Sequence, residues 1–79
     1  MTAAEDRSIE TRARDIHAAH GAQGTVVIAE KIGAVAAASD QAQIDMWMAV
    51  AARFVTLQPD PSAQRIAARH FRTLLAALL

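Results

Sequence analysis

Residues 36–62 read AAASDQAQIDMWMAVAARFVTLQPDPS, and the punctuation in this stretch decides the fold. Ser39 or Asp40 can cap a helix start, and Asp40 with Gln43 makes a D-x-x-Q box, in which the carboxylate accepts from a backbone N–H that the first turn leaves unpaired. At the far end, Pro59 and Pro61 each disfavour helical geometry in the residue before them. Asp60 can cap a further helix whose first residue is Pro61. A helix over 41–58 is therefore predicted. Ile44, Trp47, Met48, Ala51, Phe54 and Val55 share one of its faces, which is expected to bury the only tryptophan and one of the two phenylalanines. Met46, Val50 and Leu57 project about 120° from the centre of that face, beside Arg53. They form a second apolar stripe, expected to stay uncovered by a single four-helix unit and to serve as a contact surface.

The same signals carry outward along the chain. A helix over 23–38, QGTVVIAEKIGAVAAA, is apolar almost all round apart from Glu30 and Lys31, as a central buried helix would be. Ile28, Ile32 and Val35 make its bulky face. Ala29, Gly33 and Ala36 make a seam of small residues where a neighbouring backbone can approach closely, which is the reading preferred for Gly33 over any ligand role. Before it, Thr2 and Glu5 form a T-x-x-E capping box and Gly21 offers a stop, giving a first helix over 3–20. Its apolar stripe, Ile9, Ala13, Ile16 and His20, is thin, and Glu10 and Arg14 supply an i,i+4 ion pair. The fourth helix, over 61–78, has a broad apolar arc of Ala63, Ile66, Ala67, His70, Phe71, Leu74, Leu75 and Leu78. Arg65, Arg69 and Arg72 line the opposite side, and the chain closes on LLAALL, a sticky end. The expectation is one all-α domain, residues 1–79, built as a small bundle of about four helices.

Composition agrees with that class. Of 42 apolar residues 20 are alanines, which favour helix and bury little area each, so only 22 larger apolar side chains remain for a core. A 79-residue chain so short of bulk has a small stability surplus and is expected to gain burial by pairing with itself or a partner. Eight basic and eight acidic residues cancel, so no overall field draws the protein to nucleic acid or an anionic membrane. The absence of cysteine rules out disulfides and thiolate chemistry and fits a reducing compartment, and the acidic opening MTAAEDRS is unlike a secretory signal. No apolar run reaches the roughly 18 residues of a membrane span. A cytoplasmic location is expected.

Three constellations were weighed for chemistry. His17 and His20 in DIHAAHG, at i and i+3, share a helix side and would need a third ligand such as His70 to hold a metal. The structural alternative, His20 at a helix terminus beside Gly21, is preferred, and no metal or other cofactor is expected. Arg65, Arg69 and Arg72 could follow successive phosphates of a duplex, but the neutral total charge, the lack of a basic arm and the acidic AAASDQAQ segment argue against DNA. For an enzyme, the sequence holds no nucleophile with a base and orienting group, no paired carboxylates in an apolar setting and no phosphate loop. Ser8, Ser39 and Ser62 are explained by caps or helix surface, so catalysis is not expected.

The ordered landmarks His20-Gly21, Ile28-Ala29-Glu30-Lys31-Ile32-Gly33-Ala34, Asp40, Trp47 and Ala51-Ala52-Arg53 resemble an uncharacterised family of small alphaproteobacterial proteins. The resemblance covers about residues 18–57. It implies no assigned activity. The chain departs from the family pattern at Ser39, where the family tends to have glycine, and in the fourth helix, which shorter members lack. It also implies a setting among mobile-element accessory proteins.

The functional expectation is a non-enzymatic module that binds another protein or pairs as a homodimer, through Met46, Val50, Arg53, Leu57, Arg65, Arg69, Arg72, Leu75 and Leu79. In concrete form it is a small inhibitor of a host complex, of the anti-CRISPR kind. Neutral charge then points to blocking by contact, not by mimicking DNA. The alternative is a small DNA-binding regulator that uses the arginine row of the last helix.

Overall fold

The computed structural model describes residues 3–78, and it is helical nearly throughout. Four α-helices follow in order: α1 (Ala3–His20), α2 (Gly24–Ala37), α3 (Gln41–Thr56) and α4 (Pro61–Leu78), with a single 3-10 turn, Gly21–Gln23, joining α1 to α2. No strand occurs among the described residues. The all-α, four-helix expectation holds. The second helix is one residue shorter than predicted at each end, and the third stops at Thr56, two residues early. The capping box proposed at Thr2 lies outside the described residues.

The caps are the ones the sequence calls for. Asp40 Oδ1 accepts from the Gln43 N–H at 3.2 Å, and Asp60 Oδ1 accepts from the Ala63 N–H at 2.8 Å. Between α2 and α3 the chain reverses in three residues. Ser39 adopts φ +56°, its N–H donates to the Ala36 carbonyl at 3.0 Å, and the Asp40 N–H donates to the Val35 carbonyl at 3.1 Å. These bonds use helix-end carbonyls that would otherwise be unpaired, in the left-handed geometry glycine adopts without strain. Gly21 makes the other sharp bend, also at φ +56°.

The α2/α3 pair forms the middle of the molecule; α1 packs mainly on α3, and α4 lies across α2 and α3. Ile9 and Ala13 of α1, Ile28 and Ile32 of α2, Trp47, Val50 and Phe54 of α3 and Phe71 of α4 meet in one core. Phe54 is at its centre, with edge-on contacts to Phe71 (centroids 6.0 Å) and His17 (5.7 Å). The buried face of α3 is not the predicted one. It runs through Trp47, Val50, Ala51 and Phe54, while Met48 is 44% exposed. On a wheel of roughly 100° per residue the buried arc is turned about 50° towards Val50. The cause is tertiary: α3 is covered by α1 on one flank and by α2 and α4 on the others, so its buried arc is wide and centred between its neighbours.

Close approach falls at Gly24, the first residue of α2. A Cβ placed on Gly24 would collide with the Phe54 ring, 2.6 Å from Cζ, and stand 2.9 Å from Ile16 Cγ2. Gly33 is half-buried. The end of α1 also differs from expectation. His20 is exposed and leaves the stripe of Ile9, Ala13 and Ile16, and it is His17 that reaches the core.

Candidate functional site

The polar residues of α1 are largely committed to α3. Glu10 sits between two guanidiniums: Arg14 Nε donates to Oε1 at 2.8 Å, and Arg53 Nε lies 2.8 Å from Oε2 as an ion pair without hydrogen-bond alignment. The Arg14 pairing is the predicted i,i+4 contact. The Arg53 pairing crosses from α3 and leaves no mark in sequence spacing. Arg12 stacks its guanidinium over the Trp47 ring, 5.5 Å from the centroid, a cation-π contact that shields one side of the indole.

Between α2 and α4 the buried Thr25, 2% exposed, joins His70: Oγ1 and Nδ1 are 2.7 Å apart, and Oγ1 also lies 3.2 Å from the Ala22 carbonyl. A hydroxyl has one hydrogen, so one of two arrangements holds. Either Thr25 donates to Ala22 and accepts from Nδ1–H, or it donates to an unprotonated Nδ1. Both arrangements pair the hydroxyl, so the contact fastens α4 to α2. A hydroxyl next to an imidazole also resembles half of a nucleophile-base pair, and both residues line a hollow with Ala22, Gln58 and Ile66, with Thr25 itself 2% exposed.

The three histidines go to three places. His17 packs against Phe54, His20 is exposed at the helix end, and His70 bonds Thr25. Among the described residues no group of three or more His, Asp or Glu side chains is placed to hold a metal ion.

Open surface lies on α1, where a hollow between α1 and α3 includes Glu5, Ser8, Asp45 and Met46, and on α4 with the outer side of α3. A groove runs between α3 and α4, with the buried Phe71 at its floor and Met48, Ala52, Val55, Ala68 and Leu75 along its sides. Arg72 stands at its rim. Arg65, Arg69 and Arg72 are all exposed, and none forms an ion pair among the described residues. Arg65 makes only a long contact to Ser62 Oγ, at 3.4 Å. On the other flank of α4, Ile66 is 64% exposed beside a second, more enclosed hollow that includes His70, Thr25 and Gln58.

Of the contact residues read from the sequence, Arg65, Arg69 and Arg72 are exposed along one side of α4, and the partly covered Leu75 lines the groove with Arg72. Three readings need correction. Val50 is fully buried in the core, because α3 is rotated towards it, and offers nothing to a partner. Met46 and Leu57 are partly buried and pack against the same core, and Met46 also lines a hollow between α1 and α3, so the predicted stripe is only partly open. Arg53 is engaged by Glu10. Leu79 lies outside the described residues. Sequence reasoning placed Met48 and Ile66 in buried faces. Both stand at the margins of their apolar arcs, and a margin becomes core or surface according to how a neighbour crosses it, which helical periodicity does not encode.

Fold and site together define a small all-α bundle whose α3/α4 face carries an apolar groove with Arg72 at its rim. The chain belongs to DUF6961, a family of unknown function, whose profile matches residues 11–61. That range contains the stretch of residues 18–57 over which the resemblance was read. It spans most of α1, the 3-10 turn, α2 and α3, and ends on the first residue of α4. No curated protein and no solved structure is significantly similar to the chain. Among the described residues no helix is long and apolar enough to cross a membrane.

Proposed function

We propose that this protein is a non-enzymatic, cytoplasmic module that binds another protein through the α3/α4 face. The observation that carries the reading is the exposed apolar groove of Met48, Ala52, Val55, Ala68 and Leu75 with Arg72 at its rim, on a chain whose other large aliphatic side chains are mostly packed inside. Arginine beside aliphatic groups is the composition of typical binding anchors. In its concrete form the module is a small inhibitor or adaptor that acts by contact.

The test is affinity capture from the native host with wild-type protein and the Met48→Glu variant in parallel. Met48 is exposed, so the change leaves helicity intact. Proteins held by the wild type and lost from the variant meet the expectation. A capture profile identical for the two baits counts against the α3/α4 face.

A second reading, a DNA-binding regulator, has one observation in its favour: the arginine row Arg65, Arg69 and Arg72 is exposed and free of carboxylates. Duplex affinity that falls steeply between low and physiological salt, and disappears when the three arginines are changed to alanine, would establish it.

A further inference from the structure

Charge in this molecule is unevenly placed. The sequence of α4 contains three arginines and no carboxylate, and because the chain is neutral the remainder carries a net charge of −3. The three arginines, at i, i+4 and i+7, lie along one side of the helix over about 10 Å. Elsewhere Arg14 and Arg53 are engaged by Glu10 and Arg12 by Trp47, while Arg7 and Lys31 stand singly at the surface. The three arginines of α4 pair with no carboxylate among the described residues. The apolar groove runs alongside this row, from Val55 and Ala68 at one end to Met48 and Leu75 at the other. Ala68 and Leu75 are seven residues apart on α4, so the groove is also about 10 Å long, or two helical turns.

Resting on the protein-binding reading above, we propose that the occupant of the α3/α4 groove is an acidic amphipathic helix of a partner protein. It sets apolar side chains at i, i+4 and i+7 into the groove and directs carboxylates towards Arg65, Arg69 and Arg72. The spacing is dictated by the groove: three anchors over two turns match its length. The charge is set by Arg72 at the rim and by Arg65 and Arg69 beyond it on the outer side of α4, since a guanidinium fork pairs with carboxylates in bidentate geometry and three arginines together repel a basic ligand. Duplex DNA fits less well. It has no aliphatic chain to fill a channel walled by Met48, Val55 and Leu75, and the net negative remainder of the chain repels a polyanion that extends beyond α4. A second copy of the chain fits less well too, because among the described residues its exposed large apolar side chains, Met48 and Ile66, lie on different helices and form no strip of three at helical spacing.

The proposal is tested by display selection with the full chain as bait. The library holds 18-residue helical peptides in which each position samples Leu, Ala, Glu, Lys and Gln. Enriched peptides should show apolar residues at i, i+4 and i+7 and an excess of at least two acids. By fluorescence anisotropy, Met48→Glu and the pair Arg69→Glu/Arg72→Glu should each weaken them at least tenfold, with far-ultraviolet circular dichroism unchanged, and Lys31→Glu on α2 should leave affinity unaltered. Binders with no acidic excess, or binding that survives the arginine reversal, overturn the acidic assignment while leaving the protein-binding reading in place. Binding lost in Ile66→Glu and kept in Met48→Glu overturns the groove in favour of the opposite flank of α4. No enrichment overturns both readings. A 20-base-pair duplex that binds through the arginines and ignores Met48→Glu, or a dimer in sedimentation that Met48→Glu dissolves, also overturns the proposal.

Discussion

Replacing Gly24 with alanine separates two effects that usually run together. Gly24 opens α2 with ordinary right-handed helical dihedrals, φ −56° and ψ −27°, so alanine meets no backbone strain there. Helix propensity alone would reward the change, by up to about 1 kcal/mol in a helix interior and less at a first position. Packing opposes it. The added methyl would sit 2.6 Å from Phe54 Cζ and 2.9 Å from Ile16 Cγ2, where carbon atoms in contact prefer roughly 3.5–4.0 Å. The Phe54 ring must withdraw by about 1 Å. It is fully buried and held edge-on by His17 and Phe71, so the shift spreads through the core. Overpacking of this kind costs about 1–3 kcal/mol. The expected net effect is a loss of about 1–2 kcal/mol, or roughly 5–15 °C in Tm for a domain of this size. Urea and thermal denaturation followed by circular dichroism measure it. Phe54→Leu supplies the partner for a double-mutant cycle. With the ring gone, the alanine methyl has room, and Gly24→Ala in that background should cost at least 1 kcal/mol less than in the wild type. A Tm that rises in the single variant, or strict additivity in the cycle, would refute the packing of α2 against Phe54 described above.

Other expectations follow from single contacts. Ser39→Gly relieves a non-glycine residue at φ +56°, and although glycine adds entropy to the unfolded chain, the net result should be a gain of about 0.5 kcal/mol, read as a higher urea midpoint. Asp60→Ala removes the acceptor for the Ala63 N–H and should cost about 1 kcal/mol, while Asp60→Asn should recover most of it. Thr25→Val leaves His70 Nδ1 without its partner in a half-buried position and should cost about 1–2 kcal/mol, more than Thr56→Val, whose hydroxyl bonds only the carbonyl of Arg53 at an exposed site. Equal costs for the two threonines would show that the α2/α4 hydrogen bond adds nothing.

Local signals in this sequence were read with little loss, because each is enforced within a few residues. A carboxylate at Asp40 or Asp60 has one unpaired N–H within reach, and a proline cannot sit in the middle of a helix, so the boundaries of α3 and α4 are legible from residues 39–62 alone. Long-range placement was harder. The face of α3 was misjudged because apolar residues surround most of it, leaving periodicity without a sharp centre. Val50, Met46 and Met48 were then assigned to the wrong sides by a rotation of half a residue step. The Glu10–Arg53 pair and the Thr25–His70 bond link helices far apart in sequence, and no spacing rule announces either. Of the candidate surface, the arginine row was legible, since three long cations on one helix side have nowhere to go but solvent. The groove beside it was not, since it exists only through the way α4 crosses α3.

The division of labour on α4 follows from its two sides. Its inner residues, Ala67 and Phe71, close the core over Phe54, and His70 bonds Thr25, so they are held by the same requirement as the rest of the bundle. Its outer residues touch almost nothing. Arg69, Arg72 and Thr73 can change without disturbing a buried contact, and surface substitutions away from such contacts usually alter stability by less than about 0.5 kcal/mol. On the proposed reading, binding and folding are therefore separable on one helix. The match to the family ends where α4 begins, so Arg72 at the groove's rim and its neighbours Arg65 and Arg69 lie outside the matched range, whereas Met48, Ala52 and Val55 on the α3 wall lie inside it. Were the groove the proposed docking surface, its α3 wall could be kept while the charge on α4 varies, and the sign of that charge would select which amphipathic helices are admitted.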